Sequence, residues 1–277
     1  MSVAFGCPHG GGLGGGKELT AEQYLALQYQ RSVPEGMRAT GVVGLRLPQN
    51  GIRLRTSMTL LVVQPNSVRG EVQGFGGRPA MVLAMNDERL AAWLSPLNSF
   101  VSADDPQQMV DELTGGLLDR QALLEVLVGR LPTFAGWTGT AQREPDNNQI
   151  RLDLDHANGA RVLVWLHDQT YEPQRLVGRL PGIDGVAFAL GFEDFEQVGA
   201  YRVPRWVTIE VPPIELKVEL DYSKIEVGVE VTDSDFRLEQ PEGSRVRSFD
   251  EMTGLHGGST DIPPTLGATP AISSPNP

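Results

Sequence analysis

Alternating apolar and polar residues predict β-strands that are apolar on one side only. In residues 150–155, 214–221 and 225–231, an Ile, Leu or Val occupies every second position, with a charged residue or a glycine between. Successive side chains of a strand point to opposite sides, so each run has one apolar and one polar face. A sheet of such strands must bury its apolar face. Where few helices are available to cover that face, the sheet can curl round an apolar cavity.

The rest of the pattern predicts a helix, a block of strands, a short helical insert and a second block of strands. The first helix opens at Thr20, which fits a capping box with Gln23. The insert holds one helix from Pro106 to Thr114 and another that is capped by Asp119. The predicted strands are residues 38–47, 52–63, 67–74, 79–86, 89–94, 149–155, 160–167, 174–180, 185–191, 205–211, 214–221 and 225–232.

This order of elements favours a mainly β protein with a few helices, built on a single curved antiparallel sheet. Composition divides the chain into three parts. Residues 1–18 contain two runs of three glycines, which predict a flexible linker. Residues 241–277 are polar and rich in Pro, Gly, Ser and Thr, which predicts a disordered tail. Residues 19–240 have a length typical of one folded domain.

Cys7 is the sole cysteine, which excludes a disulfide within the chain. Small residues precede it, as they precede the lipidated cysteine of bacterial lipoproteins, and the glycine-rich linker would tether a domain to such an anchor. Six residues are too few for the apolar part of a signal peptide. Two interpretations therefore stay open. Either the printed start lies inside a longer signal peptide, which we favour, or Cys7 is an incidental residue of the N-terminus.

Charge and motifs exclude several classes of function. The formal net charge of −12 argues against nucleic acid as a partner, because phosphate backbones are bound by basic surfaces. The run His9-Gly-Gly-Gly resembles an esterase oxyanion loop, but the Gly-x-Ser-x-Gly turn that such enzymes need is missing. The four histidines lack the spacing of zinc ligands. We therefore predict a protein that is not an enzyme, with no catalytic residue, no metal site and no cofactor.

One loop is unusual for its composition. Phe75 lies between Gly74 and Gly76 in a turn that joins two predicted strands, although turns are normally polar. Strand parity places residue 75 on the outward side, and an exposed aromatic ring at a loop tip is typical of a contact with a membrane or a partner. The alternative is that the glycines let the turn fold back and bury the ring. The pattern does not decide between the two.

The run from Ser67 to Gly76 resembles the strand and loop of the LolB family of outer-membrane lipoprotein receptors. The acidic pair before the helix at Pro106, the Leu-Thr-Gly at 113–115 and the Leu-Val-Gly-Arg-Leu-Pro at 127–132 resemble the segments that follow in that family. The resemblance implies the open half-barrel that LolB shares with the periplasmic carrier LolA, with a helical lid over an apolar cavity. In this family the cavity holds the acyl chains of lipoproteins.

By position, the resemblance implies that Cys7 carries the lipid anchor and that Phe75, with Gly74 and Gly76, forms the loop that helps insert cargo into the membrane. The residues expected to line the cavity are Leu54, Met58, Leu60, Val62, Val72, Met81, Leu83, Met109, Leu123 and Leu127. Burial of an acyl chain gains about 0.8 kcal/mol per methylene, so a dry cavity can compete with a membrane.

The expected function is therefore that of a lipid-anchored protein on the periplasmic face of the outer membrane. It would bind acyl chains of lipoproteins or similar lipids and help insert them into that membrane, with a LolA-like carrier as a further partner. The alternative is a structural or scaffolding envelope lipoprotein whose core is filled by its own side chains.

Overall fold

The computed structural model describes residues 19–48, 52–114 and 118–247. In this part of the chain, the regular structure consists of three α-helices and fourteen strands, with short 3-10 turns. The helices are α1 (Ala21–Tyr29), α2 (Pro106–Thr114) and α3 (Arg120–Leu127). The strands are β1 (Gly36–Leu47), β2 (Ile52–Val63), β3 (Ser67–Gln73), β4 (Pro79–Met85), β5 (Leu90–Leu94), β6 (Ser99–Ala103), β7 (Thr138–Glu144), β8 (Gln149–Asp155), β9 (Arg161–His167), β10 (Pro173–Arg179), β11 (Phe188–Val198), β12 (Tyr201–Val211), β13 (Leu216–Val227) and β14 (Arg245–Val246).

These strands form one sheet, in the order β14-β6-β5-β4-β3-β2-β1-β13-β12-β11-β10-β9-β8-β7. The pairing of β1 with β13 joins the two blocks of strands, and each pairing is antiparallel except that of β14 with β6. The sheet is curved and does not close, because its two edge strands, β14 and β7, lie at opposite ends of the order. The prediction of a mainly β fold on one open, curved sheet is confirmed.

The helices begin where the sequence predicts. Thr20 Oγ1 accepts a hydrogen bond from the Gln23 backbone N–H at 3.3 Å, and Gln23 Oε1 accepts one from the Thr20 N–H at 2.9 Å. Asp119 Oδ1 accepts a hydrogen bond from the Ala122 N–H at 2.6 Å. These caps satisfy amide donors that have no partner inside a helix. Helix α1 packs on β7 and β8, α3 packs on β2, and α2 contacts β6 and α3.

The prediction of two separate strands at 214–221 and 225–232 is wrong. The structure has one strand here, β13, which ends at Val227. The cause is a β-bulge at Ser223, which has no partner on β1 although the residues on either side of it are paired. A bulge inserts one extra residue into one strand. The apolar residues therefore occupy even positions before the bulge and odd positions after it.

A glycine on the neighbouring strand makes the bulge possible. A Cβ atom at Gly41 would lie 1.9 Å from the carbonyl oxygen of Asp221, so any other residue would clash with the bulged backbone. Next to it, Ser223 Oγ donates a hydrogen bond to the carbonyl oxygen of Thr40 at 3.0 Å. The close approach and the side-chain bond together fix the register of β1 against β13.

Three strands of the described part were not predicted: β6, β7 and β14. Strand β6 has buried side chains on both faces at Phe100 and Val101, so it lacks the alternation that marks a strand with one wet side. Strand β7 is an edge strand with mostly exposed polar side chains. Strand β14 has two residues, which is too short for any pattern.

The hydrophobic core lies between the concave face of the sheet and the helices. Across β8 to β11, the inward side chains are almost completely buried, and those of Ile150, Leu152, Val164 and Leu176 have no exposed surface. The helical side of the core consists of α3 and the segment that follows it. This side contributes Leu124, Val126, Val128, Leu131 and Phe134. This half of the concave face is therefore filled by the protein itself.

Residues 228–247, which we call the C-terminal strap, cross the convex side of the sheet to reach its edge. Phe236 of the strap is buried, and Arg69 on β3 donates hydrogen bonds from Nη1 to the carbonyl oxygens of Asp235 and Arg237 at 3.2 and 3.3 Å. The strap ends in β14, so the sheet extends a few residues beyond the predicted domain end at 240. The remainder of the predicted tail, residues 248–277, lies outside the described residues.

Candidate functional site

The predicted cavity-lining residues on β2, β3 and β4 share the concave face. Met58 pairs with Val72, and Val72 pairs with Met81, so these side chains lie next to one another across three strands. Leu60 and Leu83 lie in the adjacent row, separated by a glycine of β3. Residues that alternate along a strand and align across strands form one continuous surface. The sheet therefore brings these side chains together as an apolar floor.

Burial divides the predicted lining into two groups. The buried members are Met58, Leu60, Val62, Val72 and Leu127. The half-buried members are Leu54, Met81, Leu83 and Leu123, which pack against the core but keep some exposed surface. The side chain of Met109 lies outside the described part of the structure. The floor is thus sealed at its centre and accessible along one side.

The accessible side is a band of half-buried residues that we call the apolar strip. Its members lie on the concave face: Leu45, Leu54, Met81, Leu94, Leu216 and Val218. The strip contains two groups of paired residues: Leu45 with both Leu54 and Val218, and Met81 with Leu94. It lies at the end of the sheet where β1 turns into β2 and β3 turns into β4.

The loop that carries Phe75 lies at this same end. It closes with a hydrogen bond of 2.7 Å from the Gly74 N–H to the carbonyl oxygen of Arg78, and residues Phe75–Gly77 form a 3-10 turn. Gly76 and Gly77 have φ angles of 72° and 74°, and a Cβ atom at either would meet no atom within 4 Å. The backbone at the loop tip therefore borders open space. The Phe75 side chain and Cys7 lie outside what the structure describes, so their predicted roles stay predictions.

A network of partly buried hydrogen bonds fastens α1 to the segment after α3. Tyr29 Oη donates to the carbonyl oxygen of Pro132 at 2.7 Å and accepts from the Phe134 N–H at 3.0 Å. Burial raises the pKa of Tyr29, which keeps the hydroxyl neutral and able to donate. Arg130 Nη2 donates to the carbonyl oxygens of Tyr29 and Arg31, both at 3.0 Å. These bonds hold the helical cover against the concave face.

A second opening, which we call the polar groove, lies at the opposite end of the sheet from the apolar strip. It has a volume of about 880 Å³ and is bordered by the starts of β1 and β12, the end of β2 and the segment after β13. Its polar lining includes Arg31, Gln64, Gln121, Glu125, Arg130 and Tyr201.

Glu125 is the buried carboxyl of this lining, with a residue exposure of 5%. Its Oε1 accepts a hydrogen bond from Gln121 Nε2 at 3.1 Å. Burial raises the pKa of Glu125, and the Gln121 bond and the charge of Arg130 offset part of that rise. The wall therefore disfavours the negative form of this carboxyl.

The described ranges contain no group of three or more His, Cys, Asp or Glu side chains that could hold a metal ion. Among the helices of these ranges, none has the length and apolar character needed to cross a membrane. The longest, α1 and α2, have nine residues each.

No protein-family model and no curated protein matches this sequence. The fold is similar to that of a LolA superfamily protein from Nitrosomonas europaea, with a TM-score of 0.51 and 14% identity over 80% of this chain and 99% of that one. It is also similar to a DUF1329 family protein from Desulfovibrio piger, with a TM-score of 0.55 and 12% identity over 78% and 95% of the two chains. The chain has a LolA/LolB-like fold. The resemblance drawn from the loop and helix motifs is thereby confirmed at the level of the fold.

In this LolA/LolB-like fold, the sequence patterns located the apolar floor but missed the polar contacts that hold the helical cover. Tyr29, Glu125 and Arg130 carry no local motif, and Tyr29 meets its partner Pro132 across 103 residues of sequence. The available signals were weak: an aromatic residue at the end of α1 and an acidic residue on the otherwise apolar side of α3. Neither indicates a partner without the folded topology.

Proposed function

We propose that the protein binds the acyl chains of lipoproteins, or of similar lipids, on the concave face of its half-barrel and helps insert them into the outer membrane. The observation that supports this proposal most directly is the apolar strip. Most of the concave face is sealed by helices and loops, whereas the strip leaves six apolar side chains partly uncovered at one end. Apolar surface that stays uncovered in a patch is typical of ligand grooves and interaction sites.

The chemistry of the strip suits a hydrocarbon ligand. Each methylene transferred from water to an apolar surface contributes about 0.8 kcal/mol, so a chain of a dozen carbons can be held by burial alone. Met81 in the strip and Met58 beside it have flexible, polarizable side chains that adapt to irregular apolar ligands. Binding of this kind needs no cofactor, because the ligand moves from one apolar environment to another.

The remainder of the proposal concerns location. A lipid on Cys7 would tether the domain to the periplasmic face of the outer membrane, and the loop at Phe75 would contact that membrane during transfer. A LolA-like carrier would deliver the cargo. The Phe75 loop and the apolar strip lie at the same end of the sheet, which supports a route from one to the other.

A second function is favoured by a different observation. Met58, Val62, Val72 and Leu127 are already buried in this structure, so the centre of the predicted cavity is filled by the protein's own side chains. This packing is what a structural or scaffolding envelope protein would show. A carrier must instead move α3 to admit a whole acyl chain.

The two functions are separated by titrating the full chain with a fluorescent fatty acid that brightens in apolar surroundings. We expect saturable binding that Leu54→Glu weakens about tenfold or more, because a carboxylate in the strip repels an apolar chain. Ser57→Glu is the matched control, since Ser57 is an exposed residue of the same strand on the opposite face. The structural function would be favoured if Leu54→Glu binds with wild-type affinity, or if no variant binds. In either case, mass spectrometry should also repeatedly find no lipid in the purified protein.

A further inference from the structure

The polar groove contains an arginine that forms no ion pair with a carboxylate of the described residues. Arg130 Nη2 is fixed by two backbone carbonyl oxygens, but none of the described carboxylates lies within 4.0 Å of its guanidinium. Its Nε is buried and has no hydrogen-bond partner in the described part of the chain. Buried polar groups are normally hydrogen-bonded, and buried charges are normally paired. The Nε of Arg130 departs from the first rule, on a half-buried side chain at the border of the groove.

The neighbouring arginine shows what the usual arrangement looks like. Arg31 Nη2 lies 3.8 Å from Oε1 of the buried Glu172, which also pairs with Arg202. Arg31 therefore has an ion-pair partner within the protein, whereas none of the described carboxylates pairs with Arg130. Within the groove, Glu125 does not replace the missing counter-ion, since it forms no ion pair with Arg130 and its negative form is disfavoured by burial. Glu35 also borders the groove, but it is exposed to solvent.

A second donor without a partner borders the same groove. Gln64 follows the end of β2, and its backbone N–H donates to the carbonyl oxygen of Glu35 at 2.8 Å. Its side-chain Nε2 is buried and has no hydrogen-bond partner in the described residues. The two unsatisfied donors thus belong to residues from distant parts of the chain, and both residues line the same 880 Å³ space.

We propose that the polar groove binds a phosphate or carboxylate group, held by the charge of Arg130 and by a hydrogen bond from Gln64. Two carbonyl oxygens occupy Nη2, so Arg130 would act on such an anion through its positive charge and its remaining N–H groups. A volume of about 880 Å³ falls within the range of small-molecule sites. The groove also has apolar lining from Val33, Val63, Val229 and Val231. This lining would accommodate carbon atoms attached to the anionic group.

This site is separate from the proposed acyl site, because the groove and the apolar strip lie at opposite ends of the sheet. Two sources of the anion share this chemistry: a free small metabolite and the head group of a lipid. Inorganic phosphate and acetate serve as probes for the first source. Dihexanoyl phosphatidic acid, which is soluble as a monomer, serves as the probe for the second.

The test titrates the isotope-labelled full chain with each probe and follows the NMR signals of the Arg130 Nε–H and the Gln64 side-chain amide. We expect both signals to shift with a common, saturable dissociation constant for at least one probe. Equal affinity for phosphate and the lipid would assign the site to free anions, and tighter binding of the lipid would assign it to a head group. Absence of a saturable shift with all three probes would overturn the proposal.

A pair of variants guards against indirect effects. Gln64→Glu places a carboxylate beside the proposed anion and should weaken binding about tenfold or more, because like charges repel. The Nε2 of Gln64 makes no hydrogen bond in the described structure, so this variant breaks no bond at that atom. Gln169→Glu, an exposed change of the same type in the turn between β9 and β10, should bind as the wild type does. Equal affinity in the two variants would contradict the proposal.

Discussion

The hydroxyl group of Tyr222 donates a hydrogen bond to the carbonyl oxygen of Leu127 at 3.2 Å, across 95 residues of sequence. Tyr222 lies on the concave face of β13 and has no exposed surface, and Leu127 is the last residue of α3. Burial raises the pKa of Tyr222, so the hydroxyl stays neutral and remains a donor. The bond therefore joins the floor of the half-barrel to the helix that covers it.

Replacing this hydroxyl should loosen the cover. Tyr222→Phe leaves the carbonyl oxygen of Leu127 without this donor in a buried place, which typically costs about 1–3 kcal/mol. We expect a fall of this size in the free energy of unfolding, measured by urea denaturation. Tyr171→Phe is the matched control, because the Tyr171 hydroxyl has no hydrogen-bond partner among the described residues while its ring contacts Tyr24. Equal stability of Tyr222→Phe and the wild type would show that the bond does not hold α3.

The turn after α3 depends on a glycine for two reasons. Gly129 has a φ of 82°, and a Cβ atom there would lie 2.3 Å from Cδ of Pro204 on β12. Gly129→Ala therefore combines backbone strain with a clash against a rigid ring, and we expect it to lower the free energy of unfolding by about 2–4 kcal/mol.

The control for this variant isolates the clash. Gly182 has a similar φ of 79°, but a Cβ atom there would meet no atom within 4 Å. Gly182→Ala should therefore show the backbone cost alone, about 1 kcal/mol. If thermal and urea denaturation give the same loss for both alanine variants, the packing of the turn against Pro204 is not what requires glycine at 129.

Several elements of this fold follow directly from local patterns. Strand β2 and helix α2 have the bounds that alternation, helical spacing and Pro106 predict, and Thr20 and Asp119 cap their helices as their chemistry requires. Each of these elements depends on residues close to it in sequence. Strand β13 does not, because the bulge at Ser223 reverses the alternation in mid-strand and imitates the end of one strand and the start of another.

The candidate site shows the same division. The apolar floor was predictable, because Met58, Val72 and Met81 lie on strands whose alternation fixes the inward side. How far each of them is buried was not predictable, since that depends on where α3 packs. Arg130 and Gln64 were not predictable as a pair, because the packing of α3 on β2 brings residues from two distant segments to one groove.

Glu125 should make stability depend on pH. Burial raises its pKa in the folded protein above the unfolded value, so the folded state holds a proton that the unfolded state has lost. Stability from this group is therefore full below the unfolded pKa of about 4.3 and falls as the pH rises through the folded pKa. Glu125→Gln removes this loss and retains the oxygen that accepts from Gln121.

We expect Glu125→Gln to be more stable than the wild type at neutral pH, by on the order of 1 kcal/mol, and to lose that advantage in acid. The measurement is the urea midpoint between about pH 4 and about pH 8. Glu88→Gln, in the exposed turn between β4 and β5, removes the same charge from the surface and should leave the pH profile unchanged. A Glu125→Gln profile parallel to that of the wild type would show that this carboxyl is not destabilised by burial.

The loop at Phe75 should act in delivery rather than in binding. The loop lies beyond the apolar strip, at the same end of the half-barrel, and its backbone at Gly76 and Gly77 borders open space. Phe75→Glu would place a charge where the proposed function requires contact with a membrane, and charged groups enter lipid poorly. We expect this variant to bind the fluorescent fatty acid as the wild type does and to release it into lipid vesicles about tenfold more slowly.

Leu97→Glu provides the comparison that decides whether position 75 is special. Leu97 is an apolar residue with 55% exposure in the turn between β5 and β6, at the same end of the sheet. Replacing the apolar side chain of Leu97 by a carboxylate should leave the rate of release into vesicles close to that of the wild type, because this turn carries no part of the proposed insertion loop. Transfer that is slowed equally by both variants would assign the effect to the general charge of this end of the protein. Transfer at the wild-type rate in Phe75→Glu would show that the loop has no part in delivery. Acyl binding on the strip would then be tested by Leu54→Glu alone.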